Sequence, residues 1–366
     1  MKIFTINPGS TSTKVALFED ETCVFKKTVN HDIEKIGICE TVIEQLPYRL
    51  EVIRNVLAEN GVDPNSFDCV VGRAGGIWST TGGTFLIDDL MVSHAKNRIS
   101  GVEHPACLGP IMAREFADAA GVPAYAVNPP DTDELQDVAR MTGIGGLYRS
   151  VHLHALNQKE VAAREAAKMG KHYNECNFIV CHVGGGLSVA AHRHGLMIDG
   201  YDCSGGDGPM APTRCGCVSV YDLLRYMNQG HDEKEIRRLT ASTGGFVSWL
   251  GTSDAAEVFN RAQNGDKKAD MVWNTMIYQI AKAVGSMAVA LDGKVDRILL
   301  SGGVSYSEDF VEKMTKACSW IAPISVYPGE YEMEAMAAGV MRIVRGEEEI
   351  QRYTGHNVFE GFEWDK

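Results

Sequence analysis

Three short stretches rich in glycine and hydroxyl side chains each follow an apolar run, and residues of these types can bind an anion. They are NPGSTSTK at residues 7–14, HVGGGLS at 182–188 and LLSGGVS at 299–305. Small residues expose backbone N–H groups, to which hydroxyl, amide and ammonium groups add further donors. In a nucleotide-binding P-loop the lysine would enter a helix, but Lys14 enters the strand pattern KVALFED. The three turns together predict a nucleotide phosphate site of another kind, whereas the first turn alone would equally suit an ordinary hairpin.

Basic residues stand in other glycine-rich stretches. Arg73 lies in GRAGG, Arg214 in DGPMAPTRCG, and His154 in VHLHALNQK. The chain has 48 acidic and 35 basic residues and a formal net charge of −13, which opposes binding to nucleic acid or an anionic membrane. An anionic substrate therefore requires local cationic groups such as these.

The elements that must position these residues follow from hydrophobic periodicity. Residues 1–30 predict three antiparallel strands joined by hairpins, and NFIVCHV, GGG and LSVAAHRHG repeat this strand, turn, strand plan from residue 177. An internal duplication is a hypothesis that rests on this pattern alone. Helices are predicted near residues 48–61, 105–121, 155–170, 270–293 and 332–346, and further strands at DCVVG, DRILL and ISVYPG.

Length and composition indicate the class of protein. A chain of 366 residues suits two domains, and 10 scattered cysteines favour reduced thiols in the cytoplasm. The strand pattern after Met1 resembles no export signal, and no apolar run reaches membrane-spanning length. Cys215 and Cys217, considered with His182, His192 and His194, lack the second pair of a zinc site, so free thiols are expected. We expect the HRH stretch at 192–194 to be a solvated strand end.

With these motifs in place, the chain resembles the superfamily of acetate and sugar kinases, heat shock chaperones and actins. NPGSTSTK is similar to the N-x-G-S-[ST]-S-x-K signature of acetate and butyrate kinases, the acetokinase family, and the other motifs follow in family order to about residue 345. The resemblance implies two α/β domains of the ribonuclease-H-like, actin-like ATPase plan with a nucleotide cleft between them. The expected domains are residues 1–148 with 336–366, and residues 149–335.

The resemblance implies an ATP-dependent kinase that phosphorylates a short-chain fatty acid, butyrate or a branched relative, reversibly to an acyl phosphate. Arg73 would bind the carboxylate, while His154 and Arg214 would hold the transferring phosphoryl group. ATP or ADP with Mg²⁺ would be bound, and a homo-oligomer, a dimer or higher, is expected. The residues expected to bind the nucleotide are Asn7, Ser10, Ser12, Lys14, His182, Gly184, Gly185, Gly186, Asp254, Gly302 and Gly303.

Two departures from family patterns bear on the metal and on the acid. Butyrate kinases usually carry Asp-Pro where this chain has Asn128-Pro129, so the expected magnesium residues are Asn7, Asn128 and Glu332, with Asp131 and Asp133 as further candidates. Acetate kinases place a valine and a phenylalanine where this chain has Gly75 and Leu153. With Arg73, these two would form a pocket that has room for a longer acid.

Other functions fit parts of the pattern. An acetate or propionate kinase is the nearest alternative. A chaperone-like or actin-like ATP switch would have no use for Arg73, His154 and Arg214 together, and a phosphatase of the same fold would not need Arg73. The sequence leaves acyl chain length, physiological direction and oligomer number open.

Overall fold

The computed structural model describes residues 1–202 and 205–365, and the chain forms two compact units. The first is Met1–Asp133 with Tyr331–Lys366, and the second is Glu134–Glu330. The second unit thus begins earlier than the expected residue 149. Residues from 134 onward go with it because Glu134 accepts hydrogen bonds from Met197 N and Lys159 Nζ, both at 2.8 Å.

The first unit opens with the predicted antiparallel hairpins. Its strands are β1 (Lys2–Pro8), β2 (Ser12–Glu19), β3 (Thr22–Asn30), β4 (Cys69–Gly72), β5 (Thr84–Leu86) and β6 (Ala124–Val127). Its helices are α1 (Ile33–Gly37), α2 (Leu46–Glu59), α3 (Asp89–Asn97) and α4 (Leu108–Ala120).

The second unit holds most of the helices. They are α5 (Asp137–Arg140), α6 (Ala155–Lys168), α7 (Val220–Asn228), α8 (Glu233–Ala241), α9 (Gly245–Leu250), α10 (Ala255–Gln263), α11 (Lys267–Ala290) and α12 (Glu308–Cys318). Its strands are β7 (Asn177–Val183), β8 (Leu187–Arg193), β9 (Leu196–Tyr201), β10 (Arg297–Gly302) and β11 (Ile324–Pro328). The chain then returns to the first unit with α13 (Glu332–Val344) and the short β12 (Gln351–Arg352).

Both sheets share one plan. Within the described residues, the first sheet has the strand order β12-β5-β6-β4-β1-β2-β3, and the second has β11-β10-β7-β8-β9. In each, an antiparallel meander (β1 to β3, β7 to β9) continues into parallel strands beside its first strand. This common order agrees with the repeat of plan that the sequence pattern predicts.

Each unit buries its own apolar core. Phe4 stacks on Phe67 in the first unit, and Trp273 on α11 packs near Phe246 and Phe259 in the second. A fully buried side chain of this size contributes roughly 1.5–3 kcal/mol to folding, so these cores hold the strand ends in place. The described helices include none that is long and apolar enough to cross a membrane. The nine described cysteines are all free thiols.

Candidate active site

The first glycine and serine turn joins β1 to β2. Asn7 and Lys14 lie directly opposite each other in the hairpin register, so both side chains project on one face of the sheet. Gly9 N donates to Ser12 O at 2.7 Å, which closes the turn tightly. Ser10 is exposed and Ser12 is half-buried. This turn presents the predicted phosphate-binding side chains together.

A buried arginine behind this turn was not found from the sequence. Arg49 on α2 is fully buried and donates to Gly9 O at 2.9 Å, Ser10 O at 3.0 Å and Thr13 Oγ1 at 3.1 Å. Gln45 accepts from the same guanidinium. Burial lowers the pKa of Arg49 to about 10. Because the turn's carbonyl groups point inward to Arg49, Arg49 fixes the backbone of the turn from behind.

Arg73 follows β4, and its guanidinium meets two other predicted site residues of the first unit. Arg73 Nη1 donates to Asn7 Oδ1 at 3.4 Å, and Nη2 lies 3.5 Å from Glu332 Oε1. Asn7 Nδ2 donates to Glu332 Oε2 at 2.6 Å. The structure therefore brings Asn7, Arg73 and Glu332 together, although Glu332 is 259 positions after Arg73 in the chain.

The backbone at Arg73 depends on a glycine that sequence reasoning missed. A Cβ on Gly109, near the start of α4, would lie 1.9 Å from the carbonyl oxygen of Arg73. Only glycine lets this helix approach the strand end so closely. The signal available in the sequence was the glycine inside an otherwise regular helical pattern.

Asn128 has a structural role in addition to its predicted metal role. Its Oδ1 accepts from Gly83 N at 2.8 Å, and its own N donates to Gly83 O at 2.9 Å. Its φ is +39°, in a region that asparagine and aspartate adopt more readily than most residues. The metal role of Asn128 stays a prediction.

Arg214 of the second unit lies against the turn between β7 and β8. Thr213 Oγ1 donates to Gly185 O at 2.8 Å, which docks the Arg214 loop on this turn. A Cβ on Gly186 would be 1.5 Å from Arg214 Nη1, so the guanidinium occupies the space that the missing side chain leaves. Leu187, Asp202, Asp207 and Arg214 are among the residues that line a small pocket here.

Within the described residues, the guanidinium of Arg214 has unused hydrogen-bond donors. Nε and Nη1 are buried from solvent and have no hydrogen-bond partner in the part of the chain that the structure describes. Leaving such charged donors unpaired is costly, so the arrangement is one that an anionic ligand would complete.

His154 stands immediately before α6, beside His182 of β7. The two ring centroids are 4.2 Å apart, with planes inclined by 30°. His154 Nδ1 lies 2.8 Å from Ser188 Oγ, and His182 Nδ1 lies 3.1 Å from Asn157 Oδ1. The structure thus brings these two predicted residues together and adds Ser188 and Asn157, which lie in the stretches HVGGGLS and VHLHALNQK but were not among the predicted site residues.

The turn after β10 has geometry that requires glycine. Gly302 has φ +88°, and a Cβ there would lie 2.3 Å from Val183 O. Gly302 and Gly329 exchange backbone hydrogen bonds, both at 3.0 Å. Gly303 begins a short 3-10 turn beside them. Asp254 lies elsewhere in the unit, exposed at the N-terminus of α10, where it accepts from Ala256 N and Glu257 N.

Each of the two residues expected to shape the acid pocket is closely packed within its own unit. A Cβ on Gly75 would be 2.8 Å from Ala106 Cβ, and Gly75 does not have positive φ, unlike Gly76. Leu153 is 2% exposed and belongs to an apolar cluster of the second unit. The other buried members are Leu135, Ala139, Val151, Ala155, Ala190 and Met197. The pocket role of Gly75 and Leu153 stays a prediction.

The prediction that residues 192–194 form a solvated strand end is wrong for His192. This side chain is fully buried, because alternate residues of β8 point toward α6, where Gln158 Oε1 lies 2.9 Å from His192 Nε2. Burial lowers the pKa of His192 well below its ordinary value. His194 is exposed, as predicted.

Known proteins of one family are similar to this chain along most of its length. The model of the acetokinase family matches residues 145–324. Over 353 residues the chain is 42% identical to the probable butyrate kinase of Clostridium botulinum strain Alaska E43 and to butyrate kinase 2 of Clostridium acetobutylicum, covering 96% of this chain and 99% of each relative.

Solved structures share the fold. The acetate kinase of Porphyromonas gingivalis superposes with a TM-score of 0.76 at 21% identity, covering 94% of this chain and 99% of that one. A propionate kinase from Francisella tularensis gives 0.71 at 19% identity, covering 92% and 98%. These likenesses confirm the predicted actin-like ATPase fold class. Because the chain is 42% identical to butyrate kinases of two clostridia along almost its whole length, it belongs to the acetokinase family.

Proposed function

We propose that this chain transfers the γ-phosphoryl group of ATP reversibly to the carboxylate of a short-chain fatty acid, butyrate or a branched relative. The products are the acyl phosphate and ADP. The observation that carries the proposal is Arg214, whose Nε and Nη1 are buried and lack hydrogen-bond partners within the described residues. A phosphoryl group in transfer spreads negative charge over its equatorial oxygens, and a guanidinium can bind two of them at once.

The reaction brings two anions together, so each needs a cationic partner. Arg73 would bind the carboxylate of the acid, with its guanidinium oriented by Asn7 and Glu332. Arg214 and His154 would hold the phosphoryl group. Fixed donors of this kind stabilise charge that develops in the transition state without having to reorganise.

The glycine and serine turns would bind the nucleotide. Asn7, Ser10, Ser12 and Lys14 supply donors to its phosphates in the first unit, and the turn at 184–186 supplies backbone N–H groups in the second. His182, Asp254, Gly302 and Gly303 complete the proposed nucleotide contacts. Arg49 supports this assignment, because a buried cation behind the first turn adds positive potential where phosphates would lie.

The residues present fit a magnesium ion that is held largely by substrate phosphates and water. Among the described residues no three His, Cys, Asp or Glu side chains cluster as a metal cage. Magnesium commonly uses only one or two protein carboxylates with substrate phosphates. Glu332 and Asn7, which are hydrogen-bonded to each other, would hold the ion, and Asn128 would contribute as an outer contact. The bound ion would supply charge neutralisation to the phosphate oxygens.

The proposal is tested with ATP, hydroxylamine and a panel of straight and branched acids from two to six carbons. Hydroxamate forms only if the enzyme releases an acyl phosphate, so its appearance with butyrate or a branched acid is the expected result. ADP release without hydroxamate would indicate an ATPase or a switch protein. A preference for acetate or propionate would assign the chain to the alternative substrate.

A further inference from the structure

A polar network of hydrogen-bonded side chains runs from His154 through the second unit, and binding of a substrate does not explain the role of these side chains. It consists of Ser188, Gln158, His192 and Tyr173, of which the first three are fully buried. The successive distances are 2.8 Å from His154 Nδ1 to Ser188 Oγ, 2.6 Å to Gln158 Nε2, 2.9 Å from Gln158 Oε1 to His192 Nε2, and 2.5 Å from His192 Nδ1 to Tyr173 Oη.

Each hydrogen bond of the polar network can be assigned a donor and an acceptor. The Gln158 amide oxygen can only accept, so His192 Nε2 carries the proton and donates to it. Because a neutral imidazole has one donor and one acceptor, His192 Nδ1 accepts from the Tyr173 hydroxyl. The burial that lowers the pKa of His192 keeps this ring neutral.

The amide nitrogen of Gln158 sets the direction of the hydrogen bonds at the His154 end of the polar network. Its amide nitrogen can only donate, and it donates to Ser188 Oγ. The backbone N of His154 donates weakly to the same oxygen, at 3.4 Å. With two N–H groups directed at its lone pairs, the Ser188 hydroxyl donates its own hydrogen to His154 Nδ1.

We infer that Ser188, Gln158, His192 and Tyr173 are positioning residues that hold His154 with its proton on Nε2, as a donor to the transferring phosphoryl group. The inference rests on the proposed function for the identity of that acceptor. Since Nδ1 accepts from Ser188, the ring proton is on Nε2 whenever the hydrogen bonds of the polar network have this direction. His154 then offers a hydrogen bond without having to change its protonation state.

The direction is tested first in the wild-type enzyme. Histidine labelled with ¹⁵N distinguishes a bare ring nitrogen from a protonated one, and a His154→Asn variant assigns the signal. A bare Nδ1 and a protonated Nε2 on His154 at neutral pH are the expected result. A protonated Nδ1 would overturn the inference, whatever the enzyme phosphorylates, because the hydrogen bonds of the polar network would then run in the opposite direction.

The effect on catalysis is tested with Gln158→Glu. The glutamate side chain has the same shape, but when it is ionised it can accept hydrogen bonds and cannot donate them. The Ser188 hydroxyl would then turn to residue 158, and His154 would need a proton on Nδ1 to keep its bond to Ser188. We expect this switch in the ¹⁵N spectrum and a fall in kcat of about 10²-fold, with KM for acid and ATP nearly unchanged.

Gln279→Glu is the matched control. Gln279 Oε1 accepts from Met210 N at 2.8 Å, a role that a carboxylate can keep, so its kcat should stay near that of the wild type. If Gln158→Glu does not fold, Ser188→Ala tests the same contact and should lower kcat similarly. A switched His154 signal with unchanged kcat would overturn the catalytic part of the inference. The hydroxamate assay on the wild type separates that outcome from failure of the proposed function.

Discussion

The position of the Arg214 guanidinium depends on the absence of a side chain at Gly186. A methyl group there would lie 1.5 Å from Nη1, and the flexible arginine, rather than the backbone, would have to move. We expect Arg214→Ala to lower kcat by on the order of 10³-fold with little change in ATP affinity, as loss of a transition-state contact requires. Gly186→Ala should give a similar loss by displacing the guanidinium.

The double variant shows whether Gly186 acts through Arg214. If it does, Gly186→Ala in the Arg214→Ala background should cost no further activity, because the displaced group is already gone. Steady-state kinetics and circular dichroism on all three variants provide the measurement. Additive losses would mean that the turn itself, and not the arginine, is what the alanine disturbs.

Asn128 allows a test of the metal assignment at a single atom. Asn128→Asp keeps an oxygen that can accept from Gly83 N, and aspartate tolerates the positive φ, so the fold should be unchanged. A carboxylate near bound Mg²⁺ adds charge to its outer shell. The Mg²⁺ concentration that gives half-maximal activity should therefore fall several-fold. An unchanged Mg²⁺ titration would direct attention to Asp131 and Asp133.

At the scale of elements, α2 stabilises the first turn through Arg49. Replacing Arg49 with methionine removes the donors to Gly9 O and Ser10 O and leaves those carbonyl groups without them. We expect the free energy of unfolding to fall by roughly 3 kcal/mol, and KM for ATP to rise because the turn is no longer fixed. Urea unfolding and steady-state kinetics measure the two effects. A less stable enzyme with unchanged KM for ATP would limit Arg49 to folding.

The end of β3 makes the stability of this region depend on pH. His31 is buried, its Nε2 lies 2.7 Å from Thr13 Oγ1, and burial together with Arg49 lowers its pKa from 6.5 to about 4. As pH falls below 6.5, the unfolded chain gains a proton that the folded chain does not take up until about pH 4. The contribution of His31 to stability is therefore fully present above pH 6.5 and is lost as the pH falls from 6.5 to about 4.

The expected loss from His31 between pH 7 and pH 5 is about 2 kcal/mol. Urea unfolding at both values, on the wild type and on His31→Gln, measures it. The variant keeps a side chain that can reach Thr13 but cannot titrate, so its stability should fall less over the same interval. Equal losses in both proteins would assign the pH dependence to other groups.

At the scale of the whole molecule, the enzyme should distinguish acids by length. Each methylene group that is buried adds about 0.8 kcal/mol, roughly a fourfold preference per carbon, so butyrate should exceed acetate at least tenfold in kcat/KM. A single Gly75→Val change cannot locate the pocket cleanly, because any side chain at residue 75 meets Ala106.

A compensated variant makes the test of chain length specific. Gly75→Ala with Ala106→Gly removes the contact of 2.8 Å, and Ala106→Gly alone serves as its control. The double variant should lose activity with butyrate more than with acetate if residue 75 lines the pocket. Equal losses with both acids, or a wild type that prefers acetate, would contradict the predicted pocket.

Local patterns in the sequence determined the hairpins, the glycine turns and most of the long helices. β7 was predicted with its observed bounds, since strand alternation and a glycine turn act over a few residues. The family signature likewise identified Arg73, His154 and Arg214 as candidates, because each lies within a short motif whose order along the chain is informative.

Only the tertiary structure decided which distant residues support those motifs. Arg49 reaches the first turn from 40 positions away, and Ser188 reaches His154 from 34 positions away. The spaces left at Gly109 and Gly186 matter because of what packs into them, and His192 is buried because α6 covers its face of β8. Periodicity reports which face of an element is apolar, but contacts between elements depend on how whole chains pack, and this is why the sequence alone did not reveal these contacts.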